Sequence, residues 1–481
     1  MNGRIWWVLV TGLCAAFALR SLGLIDATSL WSDELYSVGK SFQPSYRDLL
    51  QQLRQDTHPP FYYSLLWLWG CVVGQNGTTL RLLSWVMYLV GGLVMVLQSR
   101  ALAPAHRSGR AMALAALMAF CSFYPLRFSI EGKSYALLTA LVALAWWWRQ
   151  QQQPLLYGLA VLMASLTHFY GLFLFAAAAI WDAVRHRSCL AWAAALSLIP
   201  VLAWIAYARH YLFKASTGGW IGSPDFALFE ETLSRALGPW PLPKLLVLLL
   251  LLWLVCRWGV DYSEVTAKLS RPGAASGSLL DWSGVSPSAL MVLGVVAISF
   301  VKPLAFSRYF VVLVPALLPW LAVRAASLPL NRLGRRLGLT ALMLWLVMGW
   351  YQGFQPLMAR GLDASRESDH FRAVSQQTAS ERWRFSPRKR LFNLSDRMEQ
   401  SAGRLPSDLS PWGDGDELEH VLASTPPPPQ IVLAASGPDP VMKRRLKPLR
   451  KAVESAGYRC GVPSSDVPFT RVLICAKALG N

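Results

Sequence analysis

Long apolar runs are the feature that most constrains this chain. They recur from the N-terminus to about residue 356, and short polar or basic stretches separate them. A run near 20 apolar residues is long enough to cross the hydrocarbon core of a bilayer as a helix. Only 15% of the 481 residues are charged, whereas soluble domains carry about 25%. The sequence therefore predicts an all-α polytopic membrane protein.

We expect about 11 transmembrane helices from the positions of these runs. The short connections rich in Lys and Arg all fall on the side of Arg4, which the positive-inside rule assigns to the cytoplasm. The predicted spans are 5–25, 80–98, 111–126, 135–149, 154–167, 169–184, 189–208, 241–258, 288–302, 309–323 and 338–355.

The apolar segment 58–73 is left out of the predicted spans. Few residues remain between Pro60 and Gly74, and the segment is rich in Trp and Tyr, which favour the membrane interface. We interpret it as a helix lying in the outer interface, within one long outer loop at 26–79. The spans then leave the C-terminus on the extracytoplasmic side.

The chain changes character at about residue 357, where the spans end and charged and proline-rich sequence begins. Residues 431–435 and 471–476 resemble buried strands, and 439–457 between them has the pattern of a basic amphipathic helix. We predict a membrane domain at 1–356 and a C-terminal part at 357–481, which holds a small extracytoplasmic α/β domain. Residues 357–430 would be a partly ordered lead-in. Whether Cys460 and Cys475 pair is left open.

The formal net charge of +19 does not predict a nucleic-acid partner. The cations are scattered through the loops and accompany no nucleic-acid-binding motif. Membrane orientation explains them more simply.

Ionisable and aromatic side chains collect at the predicted outer ends of the spans. Each has a plainer explanation when taken alone: a solvated loop acid, a structural histidine, or a cation that anchors a helix at the interface. Together, acids that can activate a hydroxyl and cations that can hold a phosphate suit a reaction on a lipid-linked phosphate. The candidates are Asp33, Glu34, His58, Arg127, Glu131, Lys133, Tyr135, His168, Lys302, Arg308 and Tyr309.

In these motifs the sequence resembles the GT-C superfamily of membrane glycosyltransferases. The resemblance is to bacterial members of the protein-mannosyltransferase and aminoarabinose-transferase group, glycosyltransferase family 39-like, and it covers about residues 5–325. Its elements, in order, are "WSDELYS", "THPPFYY", "SIEGKSYAL", "LTHFYGLF" and "FSRYFVVLVPAL". Gly132 and Lys133 stand where many relatives have Ala and Arg, and a lysine contacts phosphate as a point charge without the bidentate geometry of arginine.

The resemblance implies a donor, a compartment and a mechanism. The donor would be a polyprenyl-phosphate sugar, used by an enzyme of the bacterial plasma (inner) membrane whose active site faces the extracytoplasmic side. The acceptor would be a hydroxyl of a lipid, glycan or protein, and transfer would invert the anomeric carbon in a single displacement. Such a reaction needs one general base.

The resemblance also implies roles for particular residues. Asp33 would be the base, and Glu34 its orienting neighbour. Lys133, Arg308 and Arg127 would stabilise the leaving phosphate. Glu131 and His168 would orient the donor or, with Asp33, hold a divalent cation, and the metal dependence is left open.

Two rival functions remain open at this point. One is a ligase that transfers a whole lipid-linked oligosaccharide. The other is a lipid or sugar transporter without chemistry, although transporters typically show internal repeats and helices broken near mid-membrane.

Overall fold

The structure is a computed structural model of the chain. It describes residues 3–214, 221–237, 278–328, 370–437, 439–461 and 469–477, and single helical residues at 334, 338, 340, 344, 347, 350 and 351.

Helices make up the described part of the first domain. They are α1 (Gly3–Leu24), α2 (Ser32–Ser41), α3 (Tyr46–Arg54), α4 (Phe61–Val73), α5 (Gly77–Leu102), α6 (Ser108–Cys121), α7 (Phe123–Ser129), α8 (Tyr135–Gln150), α9 (Pro154–Thr167), α10 (Phe169–Val184), α11 (Ser188–Ser197), α12 (Ile199–Leu212), α13 (Phe226–Leu237), α14 (Leu279–Trp282), α15 (Val285–Ser299), a 3-10 helix (Ser307–Leu313) and α16 (Val314–Ala326).

Four of the described helical stretches are long and apolar enough to cross a membrane: Arg4–Leu24, Gly77–Leu102, Ser188–Leu212 and Ser307–Ala326. Shorter apolar helices fall on the other predicted spans in the described part of the chain. The predicted span 241–258 lies outside the described residues, and so does most of 338–355.

Helix boundaries differ from the predictions where the backbone chemistry changes. The predicted span 189–208 is two helices that meet at Leu198, because Pro200 cannot donate an amide hydrogen bond into a continuous helix. The predicted span 111–126 ends at Cys121, because Ser122 is extended. Helix α15 begins three residues before the prediction, directly after Gly284, whose φ is +88°.

Helix α4 corresponds to the segment interpreted as interfacial. Its 13 residues give a length of about 20 Å, shorter than the roughly 30 Å hydrocarbon core. Tyr62 and Leu66 are buried, whereas Leu68 is 55% and Val72 is 79% exposed. The helix thus has one packed face and one open apolar face, and its position in the interface stays a prediction.

A buried ionic cluster joins α8, α10 and the chain before α15. The Arg149 guanidinium binds both carboxylate oxygens of Asp182, at 2.8 and 2.5 Å, and its third nitrogen donates to the Asp281 carbonyl. Arg187 also reaches Asp182 at 3.1 Å, and its guanidinium stacks 4.2 Å from the Trp282 ring. Buried charges need such partners, so this cluster fixes the bundle at the end predicted to face the cytoplasm.

The C-terminal part is a small α/β domain. Its described elements are α17 (His370–Gln377), β1 (Arg384–Phe385), α18 (Lys389–Ser401), β2 (Trp412–Gly413), α19 (Gly415–Leu422), β3 (Gln430–Ser436), α20 (Asp439–Ser455), β4 (Tyr458–Gly461) and β5 (Thr470–Lys477). The sheet order is β2-β1-β3-β5-β4, with β1 parallel to β2 and β3, and β5 antiparallel to its neighbours.

Strand β3 is apolar along its whole length because both of its faces are covered. Ile431 and Leu433 pack with α20 in one core, whereas Val432 and Ala434 belong to the same core as the membrane helices. The two strands and the helix predicted here are confirmed. Within the predicted lead-in at 357–430, the described residues supply two strands and three helices. Cys460 and Cys475 face each other across β4 and β5 and form a disulfide.

Helix α18 of this domain packs against α2, in the outer loop of the membrane domain. Arg390 donates to the Gly39 carbonyl at 3.4 Å and to Gln52 Oε1 at 3.1 Å. Arg404 pairs with Asp26 at 2.6 Å. The C-terminal domain therefore lies beside the helix that carries Asp33.

Candidate active site

Helix α2 places Asp33 at the end of the membrane bundle. The helix begins after Trp31, and the Glu34 carboxylate accepts the Trp31 backbone N–H at 3.3 Å, which is one half of a capping box. Asp33 is therefore held in the first turn of a defined helix rather than in a free loop. Its side chain keeps 23% exposure.

Asp33 forms an ion pair with Arg308 at the start of the 3-10 helix. Arg308 Nη2 lies 2.9 Å from Asp33 Oδ2, and the arginine side chain is only 10% exposed. Asp33 Oδ1 has no protein partner in the part of the chain that the structure describes. Two further donors of Arg308, Nε and Nη1, are buried and lack acceptors among the described residues. An acid with a free oxygen thus adjoins a cation with unused donors.

Lys133 approaches the same point from the turn between α7 and α8. Its ammonium donates to the Asp33 backbone carbonyl at 3.3 Å, and the residue is buried. Burial lowers the pKa of Lys133, and the nearby Asp33 carboxylate opposes that shift. A buried cation beside a second buried cation is expensive without an anion, so Lys133 and Arg308 form a site suited to an additional negative charge.

The charges around Asp33 decide its protonation. Burial alone raises the pKa of Asp33, but Arg308, Lys133 and Lys40, together with His58 where it is protonated, attract the carboxylate and lower its pKa to about 2. The group is therefore ionised at neutral pH.

Glu34 faces away from Asp33. Its side chain is fully buried, and Arg81 binds both of its oxygens, at 2.9 and 2.8 Å. The Gly132 N–H donates to the same carboxylate at 2.7 Å. Both oxygens of Glu34 are bound, so this carboxylate ties α2 to α5 and to the turn that carries Lys133.

Local packing explains why position 132, where the sequence departs from the motif of the resembled family, is a glycine. A Cβ at this position would lie 2.4 Å from Leu80 Cγ, a distance that side chains do not tolerate. The absence of a side chain lets the Gly132 amide approach Glu34, and so sets the position of Lys133.

Asp56 orients His58 on the opposite wall. Asp56 Oδ1 lies 2.6 Å from His58 Nδ1, and Lys40 Nζ lies 2.6 Å from Asp56 Oδ2. Burial lowers the pKa of His58, with Lys40 adding to the effect and Asp56 opposing it. Histidine is then neutral at pH 7, with its proton on Nδ1 and a lone pair on Nε2.

His168 has the opposite arrangement. Its Nδ1 accepts the Tyr170 backbone N–H at 3.1 Å, so a neutral ring carries its proton on Nε2. Its ring centroid is 6.0 Å from that of His58, 4.8 Å from that of Tyr309 and 6.1 Å from that of Tyr135. The predicted aromatic and histidine candidates therefore do come together, as one acceptor and one donor among tyrosine rings.

The remaining candidates are placed differently. Arg127 pairs with Glu131 at 3.3 Å, and each of them keeps one buried polar atom, Nη2 and Oε1, without a partner among the described residues. Lys302 is exposed, contacts the Leu212 carbonyl at 3.4 Å and lies over the Phe213 ring. The structure does not bring Lys302 to the site.

The metal candidates Asp33, Glu131 and His168 do not form a ligand set. Within the described ranges, no group of three or more His, Cys, Asp or Glu side chains is arranged to hold a metal ion. Each of the two carboxylates is instead paired with an arginine through one oxygen, Glu131 with Arg127 and Asp33 with Arg308.

Sequence reasoning missed Arg81, Lys40 and the role of Asp56. Arg81 stands alone at the start of the predicted span 80–98, where a cation is easily taken for an interfacial anchor. Its Nη1 also binds the carbonyls of Ile25 and Thr28, at 2.6 and 2.7 Å. A single arginine four residues after the helix start at Gly77 was the available signal.

No protein-family model matches the chain, and no curated protein matches it by sequence. Solved structures do match. ArnT from Cupriavidus metallidurans, an aminoarabinose transferase, aligns in its apo state with a TM-score of 0.61 and 13% identity, over 98% of both chains. The same protein bound to undecaprenyl phosphate aligns with a TM-score of 0.57 and 14% identity, again over 98% of both chains. This chain therefore has the ArnT-like membrane fold and is an integral membrane protein.

Proposed function

We propose that this protein transfers a sugar from a polyprenyl-phosphate-linked donor to a hydroxyl of a lipid, glycan or protein acceptor, with inversion at the anomeric carbon. The observation that carries the proposal is the Asp33–Arg308 pair: a carboxylate with one open oxygen beside a buried guanidinium with two unused donors. A base and an anion site at one point are what a single displacement with a phosphate leaving group requires.

Asp33 would act as the general base. Its open Oδ1 takes the proton of the acceptor hydroxyl while the hydroxyl oxygen attacks the anomeric carbon. The bond between that carbon and the phosphate oxygen breaks, and the electron pair leaves with polyprenyl phosphate. A phosphate that shares Arg308 would weaken its hold on Asp33, and so raise the pKa of the base when the donor is bound.

Arg308 and Lys133 would stabilise the leaving phosphate. Both are largely buried, so their charges act in a medium that screens them less than water does. Lys133 would serve as a point charge, and Arg308 would supply the directed donors. ArnT, whose fold this chain shares, binds undecaprenyl phosphate in one of its solved structures, which supports the choice of donor.

His58 and His168 would hold hydroxyls of the sugar. The Nε2 lone pair of His58 can accept a hydrogen bond from one sugar hydroxyl, and the Nε2–H of His168 can donate a hydrogen bond to another. Tyr135 and Tyr309 supply the apolar ring faces beside them. Selection among sugars would come from this wall.

The extracytoplasmic side of the bacterial plasma membrane is the proposed location of the site. The Cys460–Cys475 disulfide supports it, because disulfides persist in oxidising compartments. The C-terminal domain that carries the disulfide packs directly on α2, so both lie on the same side.

The test is release of polyprenyl phosphate by the purified full-length protein from a panel of polyprenyl-phosphate sugars with hydroxyl acceptors. Asp33→Asn keeps the shape of the side chain and removes its charge, so turnover should fall by about 100- to 10,000-fold, while donor binding persists. Asp26→Asn is the matched control, because Asp26 is a half-exposed acid of the same loop that pairs with Arg404. Normal turnover by a folded Asp33→Asn protein would refute the base assignment.

Metal dependence is tested in the same assay. Because Asp33, Glu131 and His168 do not form a ligand set among the described residues, no step of the proposed mechanism goes through a metal. Turnover should therefore be unchanged after extensive chelation with EDTA. A loss that added Mg²⁺ or Mn²⁺ restores would contradict this part of the proposal.

The rival functions predict other products. A ligase would release polyprenyl diphosphate from a lipid-linked oligosaccharide and leave polyprenyl-phosphate monosaccharides untouched. A transporter would release neither lipid and would move its cargo across vesicles.

A further inference from the structure

A cavity of about 400 Å³ lies at the interface between the outer loop and the C-terminal domain. It is separate from the Asp33 site, although α2 contributes to both: Gly39 lines the cavity and lies six residues after Asp33. At 1.5 Å per residue, the two positions are about 9 Å apart along the helix.

One wall of the cavity is a charged stripe on α18. Arg390, Leu394 and Arg397 follow each other at four- and three-residue spacing, so they share one face of the helix. The stripe therefore presents two guanidiniums with an apolar side chain between them.

These two guanidiniums lack acidic partners. Arg390 donates only to neutral oxygens, of Gly39 and Gln52. Arg397 has no hydrogen-bond or ion-pair partner in the described part of the chain, and no described residue that lines the cavity is acidic. By contrast, the neighbouring Lys389 pairs with Asp414, and Arg404 pairs with Glu399. The uncompensated charge of α18 is thus concentrated at the cavity.

The facing wall is apolar and leads to the open face of α4. Phe42 and Trp67 line the cavity. On the same helix as Trp67, Leu68 is 55% and Val72 is 79% exposed. Two uncompensated cations next to an apolar wall that continues onto an exposed apolar helix are complementary to an anionic head group with acyl chains.

We propose that this cavity binds an anionic phospholipid, with its phosphate between Arg390 and Arg397 and its acyl chains along the exposed face of α4. The lipid would bridge α18 of the C-terminal domain to α2 and α4 of the membrane domain. A soluble phosphate shares the anionic head but gains nothing from α4, so the lipid is the favoured occupant.

The experiment measures binding without any sugar donor, so that its outcome is independent of the proposed glycosyl transfer. The full-length protein in neutral detergent is titrated with phosphatidylglycerol or with phosphatidylcholine of the same acyl chains, and bound lipid is counted by native mass spectrometry. Inorganic phosphate is added in a third arm. Phosphatidylglycerol should bind, phosphatidylcholine should bind weakly, and millimolar phosphate should not displace the bound lipid.

The test variant is the double substitution Arg390→Gln and Arg397→Gln. A cation near an anionic lipid contributes about five-fold in affinity, so the pair should lose about 25-fold. The matched control is Lys443→Gln with Arg450→Gln, which removes two exposed cations from α20, where each pairs with an acid four residues away. The control should bind phosphatidylglycerol as the wild type does.

Cys71, an exposed thiol that lines the cavity, gives a second readout of position. In a background with Cys14→Ala and Cys189→Ala, phosphatidylglycerol should slow alkylation of Cys71 by a water-soluble maleimide, and phosphatidylcholine should not. Three results would overturn the proposal: equal binding of the two lipids, unchanged binding by the double arginine variant, or displacement by phosphate, which would indicate a site for free anions.

Discussion

The charges around Asp33 determine the pH range in which its carboxyl is ionised. Its pKa is lowered to about 2, because four surrounding cationic or ionisable groups outweigh the effect of burial. In the unfolded chain the pKa of an aspartate carboxyl is about 3.9. Because the folded state lowers that pKa, the ionised carboxyl stabilises the fold above pH 3.9, and this stabilisation is lost as the pH falls toward 2. Protonation of Asp33 therefore does not limit the free enzyme at mildly acidic pH.

Replacing Arg308 tests this environment. Arg308→Gln removes the strongest attraction on Asp33, so the acid limb of kcat/KM should move to higher pH than in the wild type. Turnover should also fall by about 100- to 1,000-fold, because a donor to the leaving phosphate is lost. Both are read from pH–rate profiles with a saturating acceptor.

The matched control for this change is Lys302→Gln. Lys302 lies six residues before Arg308 but is exposed and faces Phe213, so its profile should coincide with that of the wild type. An Arg308→Gln profile with an unmoved acid limb would show that Asp33 does not limit the rate. A strong effect of Lys302→Gln would place that lysine at the site after all.

Some residues of the candidate site could be predicted from the sequence, and others could not. Asp33, Lys133 and Arg308 were identified because they stand in motifs at the ends of apolar runs, and the structure brings them together. Glu34 was paired with Asp33 because they are adjacent in sequence, yet neighbours on a helix point about 100° apart. Lys302 shared a motif with Arg308, but the turn between them separates the two side chains.

At the scale of elements, the contact that positions the site is the one between α2 and α5. Arg81 binds Glu34 through two nitrogens and also caps the carbonyls at the end of α1, including Ile25. Both side chains are at most 1% exposed. Loss of one partner leaves the other charge buried and unpaired, which typically costs about 3–5 kcal/mol.

We therefore expect Glu34→Gln and Arg81→Met each to lower the thermal unfolding temperature in detergent, and to reduce turnover in proportion to the fraction of folded protein. The double variant Glu34→Leu with Arg81→Met removes both charges, so it should be less destabilised than the two single changes added together. Arg149→Met, at the other ionic cluster, controls for loss of a buried arginine: it should destabilise without changing the KM for the donor. Additive effects of Glu34 and Arg81 would show that the pair is not coupled.

Elements were predictable where periodicity is strong and were missed where it is not. The apolar helices and strands β3 and β5 stand out because long uniform runs bury both faces or contact lipid. Strands β1 and β2 have two residues each, too few to show any alternation. They exist because β3 is already in place to pair with β1, so tertiary contact rather than local sequence decides them.

At the scale of the whole molecule, the C-terminal domain shares its core with the membrane helices. Val432 and Ala434 of β3, together with Phe392 of α18, join the core that contains Leu35 of α2. The sequence predicts a separate domain at 357–481, because composition changes there. Composition carries no information about which surfaces later meet, so the seating of α18 on α2 could not be predicted.

The sidedness of this assembly is the remaining prediction. The basic loop between α5 and α6 should face the cytoplasm, and the C-terminal domain should face the outside, on the side of Asp33. Ala105→Cys and Ser407→Cys each add one thiol at an exposed position in these two regions, in a background with Cys14, Cys71, Cys121, Cys189 and Cys256 replaced by alanine. In intact cells a membrane-impermeant maleimide should label Ser407→Cys at once, and Ala105→Cys only after permeabilisation. If both thiols react from outside, the number of crossings between α5 and the sheet is even rather than odd, so one of the spans predicted after residue 105 is wrong. If only Ala105→Cys reacts, the whole orientation is inverted, and the donor would have to be presented from the cytoplasmic leaflet.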